Sequence, residues 1–258
     1  MAHETLRLRA AHRELMRNSA TTEEDWQLWD ALVEEKLWSD LFGALLTCES
    51  PAIREACLHA NLEALQLELG PDKRAEVSKE IRKRLKPYLK DGKLPSNAVL
   101  IGGPPCQAYS VVGRSRNRGE EGYVAEEDHR HFLYQEYLHV IAEFRPAVFV
   151  MENVKGILSS KVNDGHIFQR IMNDLRRPGL ADGSRIALEY VLVPLAASGS
   201  STAPEPEDFI LKAEEFGVPQ ARHRVIILGI RKDVHEKLKS LPSLAASLAP
   251  TVQQAREI

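Results

Sequence analysis

The run Ala98-Val99-Leu100-Ile101, followed by Gly102-Gly103-Pro104-Pro105-Cys106-Gln107, constrains the fold more than any other stretch of this chain. Consecutive apolar residues bounded by a glycine pair read as a buried strand that stops in a tight turn. The prolines keep the strand from continuing. The turn then presents one thiol, Cys106, with a polar tail of Gln107, Tyr109 and Ser110. In open α/β sheets, ligands and chemistry gather outside the carboxyl ends of the strands. From Ala98 onward the texture is strand-helix alternation, with strands expected at 98–101, 147–151, 187–193 and 224–230. Helices are expected at about 130–144 and 166–176, Leu133, Tyr137 and Ile141 marking the buried stripe of the first. Such alternation predicts an α/β fold with a mostly parallel sheet and crossover helices. Ala196 to Pro206, rich in Ser, Ala and Pro, reads as a surface loop.

Residues 1–97 read instead as a helical region. Thr22 before Glu23, Glu24 and Asp25 has the form of a helix N-cap with an acidic first turn. Leu28, Leu32, Leu37, Leu41 and Leu45 then recur at the spacing of one helix face. Ser50-Pro51 starts another helix, proline suiting a first helical position, and Gly70-Pro71 is expected to end it. A charged helix follows from about Asp72 to Leu89, closed by Asp91-Gly92. Its basic run, Lys79 to Lys93, reads as a solvated face.

Composition excludes several classes. No apolar stretch approaches the ~20 residues that cross a bilayer, and the N-terminus has no signal-peptide core, so a cytoplasmic protein without membrane contact is expected. The three cysteines, Cys48, Cys57 and Cys106, form no CxxC pair, which argues against a disulfide framework or a structural metal site. Cys48 and Cys57 are expected to pack as small apolar residues. A net charge of −3 and a pI of about 6.3 do not announce a nucleic-acid binder. Locally, however, Arg114, Arg116 and Arg118 follow Cys106, and Arg222 and Arg224 crowd one later segment.

Two further segments lie downstream at strand-helix spacing: Met151-Glu152-Asn153-Val154 and Pro219-Gln220-Ala221-Arg222-His223-Arg224. With the Pro-Pro-Cys-Gln turn, these three resemble the signature motifs of the cytosine-C5 DNA methyltransferases of bacterial modification systems, in the family's order. The resemblance implies a sheet of the S-adenosylmethionine-dependent methyltransferase type over residues 98–258. It implies Cys106 as the nucleophile that adds to C6 of cytosine, Glu152 as the acid at N3, and Arg222 and Arg224 as contacts to substrate phosphate and to the base. Gln107 and Ser110, on the loop that would close over DNA, join the substrate side. Asp128 to Leu133 resembles the motif that precedes the Glu-Asn-Val strand, placing Leu133, with Pro105, near the cofactor. No metal is implied, and Asn153 is expected to hold its turn rather than do chemistry.

The chemistry fits the residue types. C5 of cytosine is a poor nucleophile, and adding a thiolate to C6 turns the ring into an enamine reactive at C5. Cysteine suits this, since its thiolate forms near neutral pH and can leave again. Addition becomes favourable when N3 is protonated, which a carboxylic acid at a neighbouring strand end can supply. A stacked cytosine must first be flipped into the pocket.

What the family places before the cysteine strand is not visible in this sequence. There is no G-x-G anywhere, and the glycines before Gly102, at 43, 70 and 92, do not follow apolar strands. Glycine is needed where backbone approaches a nucleotide-like ligand. The opening Ala2-His3-Glu4-Thr5-Leu6 resembles the helix after the family's ribose-binding acid, and Pro250 to Ala255 resembles the start of its last part. The expectation is therefore a core cut at both ends, without a target-recognition domain and with residues 10–95 as an insertion. Double-stranded DNA is the expected substrate, and the S-adenosylmethionine site is incomplete. Three alternatives stand beside that reading: a tRNA cytosine methyltransferase, an inactive remnant, or one half of a split enzyme that needs a complementing polypeptide or self-association.

Overall fold

The computed structural model describes residues 2–34, 40–90, 94–95, 97–104, 134–162, 165–183, 187–195 and 204–239. The chain divides into two compact units, Met1–Glu68 and Leu69–Ile258. No helix among the described residues is long and apolar enough to cross a membrane.

The first unit is helical: α1 (Ala2–Arg17), α2 (Glu23–Glu34), α3 (Leu41–Thr47) and α4 (Pro51–Glu63). Thr22 and Asp25 form a reciprocal cap. The Asp25 amide donates to Thr22 Oγ1, and the Thr22 amide donates to Asp25 Oδ2 at 2.8 Å. Ser50 caps α4 by accepting from the Ile53 amide at 3.1 Å, with Pro51 inside the first turn. The leucine face that reads as continuous is divided between α2 and α3. Leu28 and Leu32 pack against the same core that buries Leu41 and Leu45, while Leu37 lies outside the described residues. Helix α4 stops at Glu63, before Gly70-Pro71. Its buried stripe is Ile53, Ala56, Cys57 and Ala60, and the Ala64 amide closes the last turn on the Ala60 carbonyl. Cys57 is fully buried, and desolvation pushes its thiol up to about 12. It packs as a small apolar residue.

The second unit is α/β, with α5 (Arg74–Leu85), β1 (Val99–Gly102), α6 (Tyr134–Phe144), β2 (Val148–Val154), the short β3 (Lys161–Val162) and β4 (Gly165–His166), α7 (Ile167–Arg176), α8 (Pro178–Ala181), β5 (Tyr190–Pro194), β6 (Ile210–Lys212), β7 (His223–Arg231) and α9 (Lys232–Lys239). Helix α5, contiguous in sequence with the helical region, belongs here. Arg74 grips Glu136 of α6 through two hydrogen bonds of 2.9 Å, and Arg82 pairs with Glu143.

The main sheet has the order β1-β2-β7-β5, with β6 also on β7. Strand β1 is parallel to β2, whereas β7 is antiparallel to β2, β5 and β6. The sheet is thus mixed rather than mostly parallel in its pairings. Strands β1, β2 and β5 point one way, with α6 and α7 as crossovers, but β7 enters from the β6 hairpin and runs back between β2 and β5. One face is the core: Phe149, Met151, Val225 and Ile227 lie under Tyr137 and Ile141 of α6 and Ile171 of α7. Gly229 lies opposite Phe149, and a Cβ there would come within 2.1 Å of the ring, so only glycine leaves the slot that the aromatic fills. The other face is also aliphatic, yet Val148, Val150, Val191 and Leu228 are not buried there, and Val99 and Ile101 are 55% and 74% exposed, so β1 is not the buried strand that its apolar run predicts.

Candidate active site

Strand direction brings the motifs together. In register, Gly102 pairs with Met151 and Val154 pairs with Arg224. The carboxyl ends of β1 and β2 therefore share one edge of the sheet, and the antiparallel β7 begins at that same edge. Arg224 arrives there by running against β2; a parallel strand would have placed its first residues at the opposite edge.

At this edge the Arg224 guanidinium meets the Glu152 carboxylate, Nε lying 2.9 Å from Oε1. The Nε–H does not point along that contact and has no hydrogen-bond acceptor among the described residues, so the contact is ionic. Arg224 is anchored by a second nitrogen, which donates to the His223 carbonyl at 2.8 Å. The two side chains are 25% and 42% exposed, open enough to meet a substrate. Gly103 lies against the same carboxylate: a Cβ built there would sit 3.1 Å from Glu152 Oε2 and 3.6 Å from its carbonyl. The second glycine of the pair thus leaves the acid its space, three residues before Cys106 in the chain.

Asn153, 2% exposed, fastens the turn. Its side-chain amide donates to the Pro104 carbonyl at 3.3 Å, and its oxygen accepts from the Val154 amide at 2.9 Å. The Glu152 strand and the start of the cysteine turn are hydrogen-bonded directly, as expected for a structural Asn153. Beneath them Tyr137 donates to the Val150 carbonyl at 3.0 Å, and burial pushes its phenol well above the usual range.

Of the expected site residues, Glu152 and Arg224 are brought into contact, and Arg222 stands exposed just before β7. Cys106, Gln107, Ser110, Pro105 and Leu133 lie outside the described residues, as do Arg114, Arg116, Arg118 and Pro250 to Ala255. Sequence reasoning missed two participants. Gly103 was legible only as a turn former, although the doubled glycine is the signal that one of the pair does something more. The other is His223, inside the Arg-His-Arg triplet, whose Nε2 lies 2.6 Å from Glu214 Oε1.

An adenosyl cofactor would need backbone approach at a glycine turn and a carboxylate for its ribose. The acid at this edge, Glu152, is engaged by Arg224, and the two carboxylates that follow β6, Glu214 and Glu215, are paired with His223 and Lys212. Among the described residues, no cluster of His, Cys, Asp or Glu could hold a metal ion.

Comparison with known proteins shows the family. The family model for C-5 cytosine-specific DNA methylases matches residues 72–181 and 206–256, more than half of the chain. Type II methyltransferase M.Bpa9945I of Bacillus paralicheniformis is 34% identical over 188 residues, covering 72% of this chain and 37% of that protein. Type II methyltransferase M.BbvI of Brevibacillus brevis is 38% identical over 131 residues, covering 51% and 27%. The DNA (cytosine-5-)-methyltransferase M.ApeKI of Aeropyrum pernix is 30% identical over 142 residues, covering 53% and 27%. The chain therefore spans well under half the length of these relatives. The matched residues contain Glu152, Arg222 and Arg224 and leave the first helical unit outside. This chain belongs to the C-5 cytosine-specific DNA methylase family.

Proposed function

We propose that this chain is the cytosine-handling part of a cytoplasmic DNA cytosine-C5 methyltransferase of the modification type, acting on duplex DNA. The observation that carries the reading is the Glu152–Arg224 contact at 2.9 Å on the sheet edge where the Gly103-Pro104 turn begins. Cys106 as thiolate adds to C6 of a flipped cytosine, forming the S–C6 bond, while protonated Glu152 delivers a proton to N3. The C5–C6 double bond moves its electrons toward C5, which becomes nucleophilic. Arg224 holds the Glu152 carboxylate in place and offers its remaining N–H groups to the base carbonyl. Arg222, exposed beside it, binds backbone phosphate. S-adenosylmethionine would supply an electrophilic methyl group. Loss of the C5 proton, expulsion of the thiolate and return of the N3 proton to Glu152 then restore the aromatic base.

Because the described residues do not by themselves fit the cofactor, we assign its binding elements to a complementing polypeptide or a further part of the protein. The exposed Val99 and Ile101 on edge strand β1 support that assignment. The reaction is tested without any methyl donor. Once C6 carries sulfur, C5 exchanges its hydrogen with solvent, so tritium should leave [5-³H]cytosine in duplex DNA bound to the complemented protein. Cys106→Ser should abolish the release. Release from tRNA but not from DNA would overturn the DNA reading, and release that survives Cys106→Ser would overturn the nucleophile.

A further inference from the structure

A carboxylate beside a DNA-facing pair of arginines weakens attraction to a polyanion, yet Glu214 stands there. It belongs to the 3-10 turn Ala213–Phe216 that precedes β7, and it pairs with His223 between the two motif arginines. We propose that Glu214, acting through His223, is a positioning residue that fixes the Arg222–Arg224 strand start for contact with nucleic acid, an inference that rests on the function proposed above.

Three contacts converge on this segment. The Glu214 carboxylate meets the His223 ring at 2.6 Å. The Ala213 amide donates to the Arg222 carbonyl at 3.0 Å. The His223 carbonyl accepts from the Arg224 guanidinium at 2.8 Å. His223 is therefore a hub, its ring held by the turn and its backbone holding the arginine that meets Glu152. The turn is itself closed tightly. Gly217 takes a left-handed conformation with φ 78°, and the Val218 amide returns to the Ala213 carbonyl. Lys212 and Glu215 beside it neutralise each other at 3.1 Å, so the pairing of His223 with Glu214 is local. Glu214 and His223 are 38% and 34% exposed, and a pair this open adds little to global stability. Its effect is on geometry: it sets where Arg222 and Arg224 emerge.

Electrostatics and positioning predict opposite signs for one substitution, which makes the test sharp. Glu214→Gln removes the charge but keeps an acceptor for His223, and Glu214→Ala removes both. If Glu214 were only a misplaced negative charge, both variants would bind duplex DNA more tightly. A positioning residue gives Glu214→Gln equal or about twofold tighter binding. Glu214→Ala should then bind about fivefold more weakly, with a salt slope smaller by about one, the loss of one phosphate contact. The second measurement is hydrogen exchange at the Ala213 amide in the full chain, which needs no ligand. Glu214→Ala should speed it about tenfold and Glu214→Gln should not. Glu214→Ala binding as tightly as Glu214→Gln with an unchanged slope, or an unchanged Ala213 exchange rate in Glu214→Ala, would overturn the positioning role. A wild-type protein that binds no DNA while the exchange rates behave as stated would overturn the proposed function and leave the Glu214–His223 device standing.

Discussion

At the scale of single residues, the site is governed by what surrounds one carboxylate. In the proposed reaction Glu152 delivers a proton to N3 while it meets Arg224, and both demand a fixed position. Replacing it with Gln should leave the fold intact, because the side chain is half exposed, and slow C5 exchange or methylation by about two to four decades, the ordinary weight of an acid-base group. Gly103→Ala tests the same carboxylate from its other side. A methyl 3.1 Å from Oε2 is closer than comfortable contact, so the acid must shift by a few tenths of an ångström. Activity should fall at least tenfold while the melting temperature moves by less than about 3 °C. A variant as active as wild type would show that Glu152 adapts freely and that its placement does not matter.

At the scale of elements, caps and strand direction decide what goes where. Ser50 serves two elements at once: it caps α4 through the Ile53 amide and donates to Asp25 Oδ1 of α2 at 2.6 Å. The Ser50 hydroxyl, followed by the Thr22 amide and hydroxyl, holds the Asp25 carboxyl below its usual range. A depressed carboxyl stabilises the fold above its unfolded value, about 3.9, and that stabilisation is lost as pH falls through the lower folded value. Ser50→Ala should cost the helical unit about 1–2 kcal/mol at neutral pH. It should also flatten the decline in stability below about pH 4; a parallel decline in both proteins would show that Asp25 is not held by Ser50. The caps at Thr22 and Ser50 were legible in the sequence because capping is written in neighbouring residues. So were the strands near 99–102 and 148–154, where apolar runs end in turns. The reversal of β7 was not legible. Strand direction depends on the hairpin from β6, a three-residue strand too short to carry a pattern. The contact of Arg224 with Glu152 followed from the motifs, but the route by which it forms did not.

At the scale of the molecule, the second unit is lopsided. One sheet face buries Phe149, Met151, Val225 and Ile227 completely, whereas the opposite face is equally aliphatic and has no buried strand residue among those described. Among the described residues β1 pairs with β2 alone, and its Ile101 is 74% exposed. An apolar face and an open edge together are a surface that seeks another layer. The purified chain should therefore gain mass with concentration and bind a hydrophobic dye, and Ile101→Lys should reduce both. The same asymmetry bears on the cofactor. The described residues lack a free acid for the ribose at the active edge, and losing one buried charge-assisted hydrogen bond costs about 1.5–3 kcal/mol. Two such losses take micromolar affinity toward millimolar, at ~1.4 kcal/mol per decade. Calorimetry of residues 1–258 with S-adenosylmethionine should thus show binding no tighter than about 1 mM, with affinity recovered when the proposed complementing polypeptide or further part of the protein is added. Micromolar binding by the chain alone would mean that it carries its own cofactor site, and the need for a second layer would fall with that result.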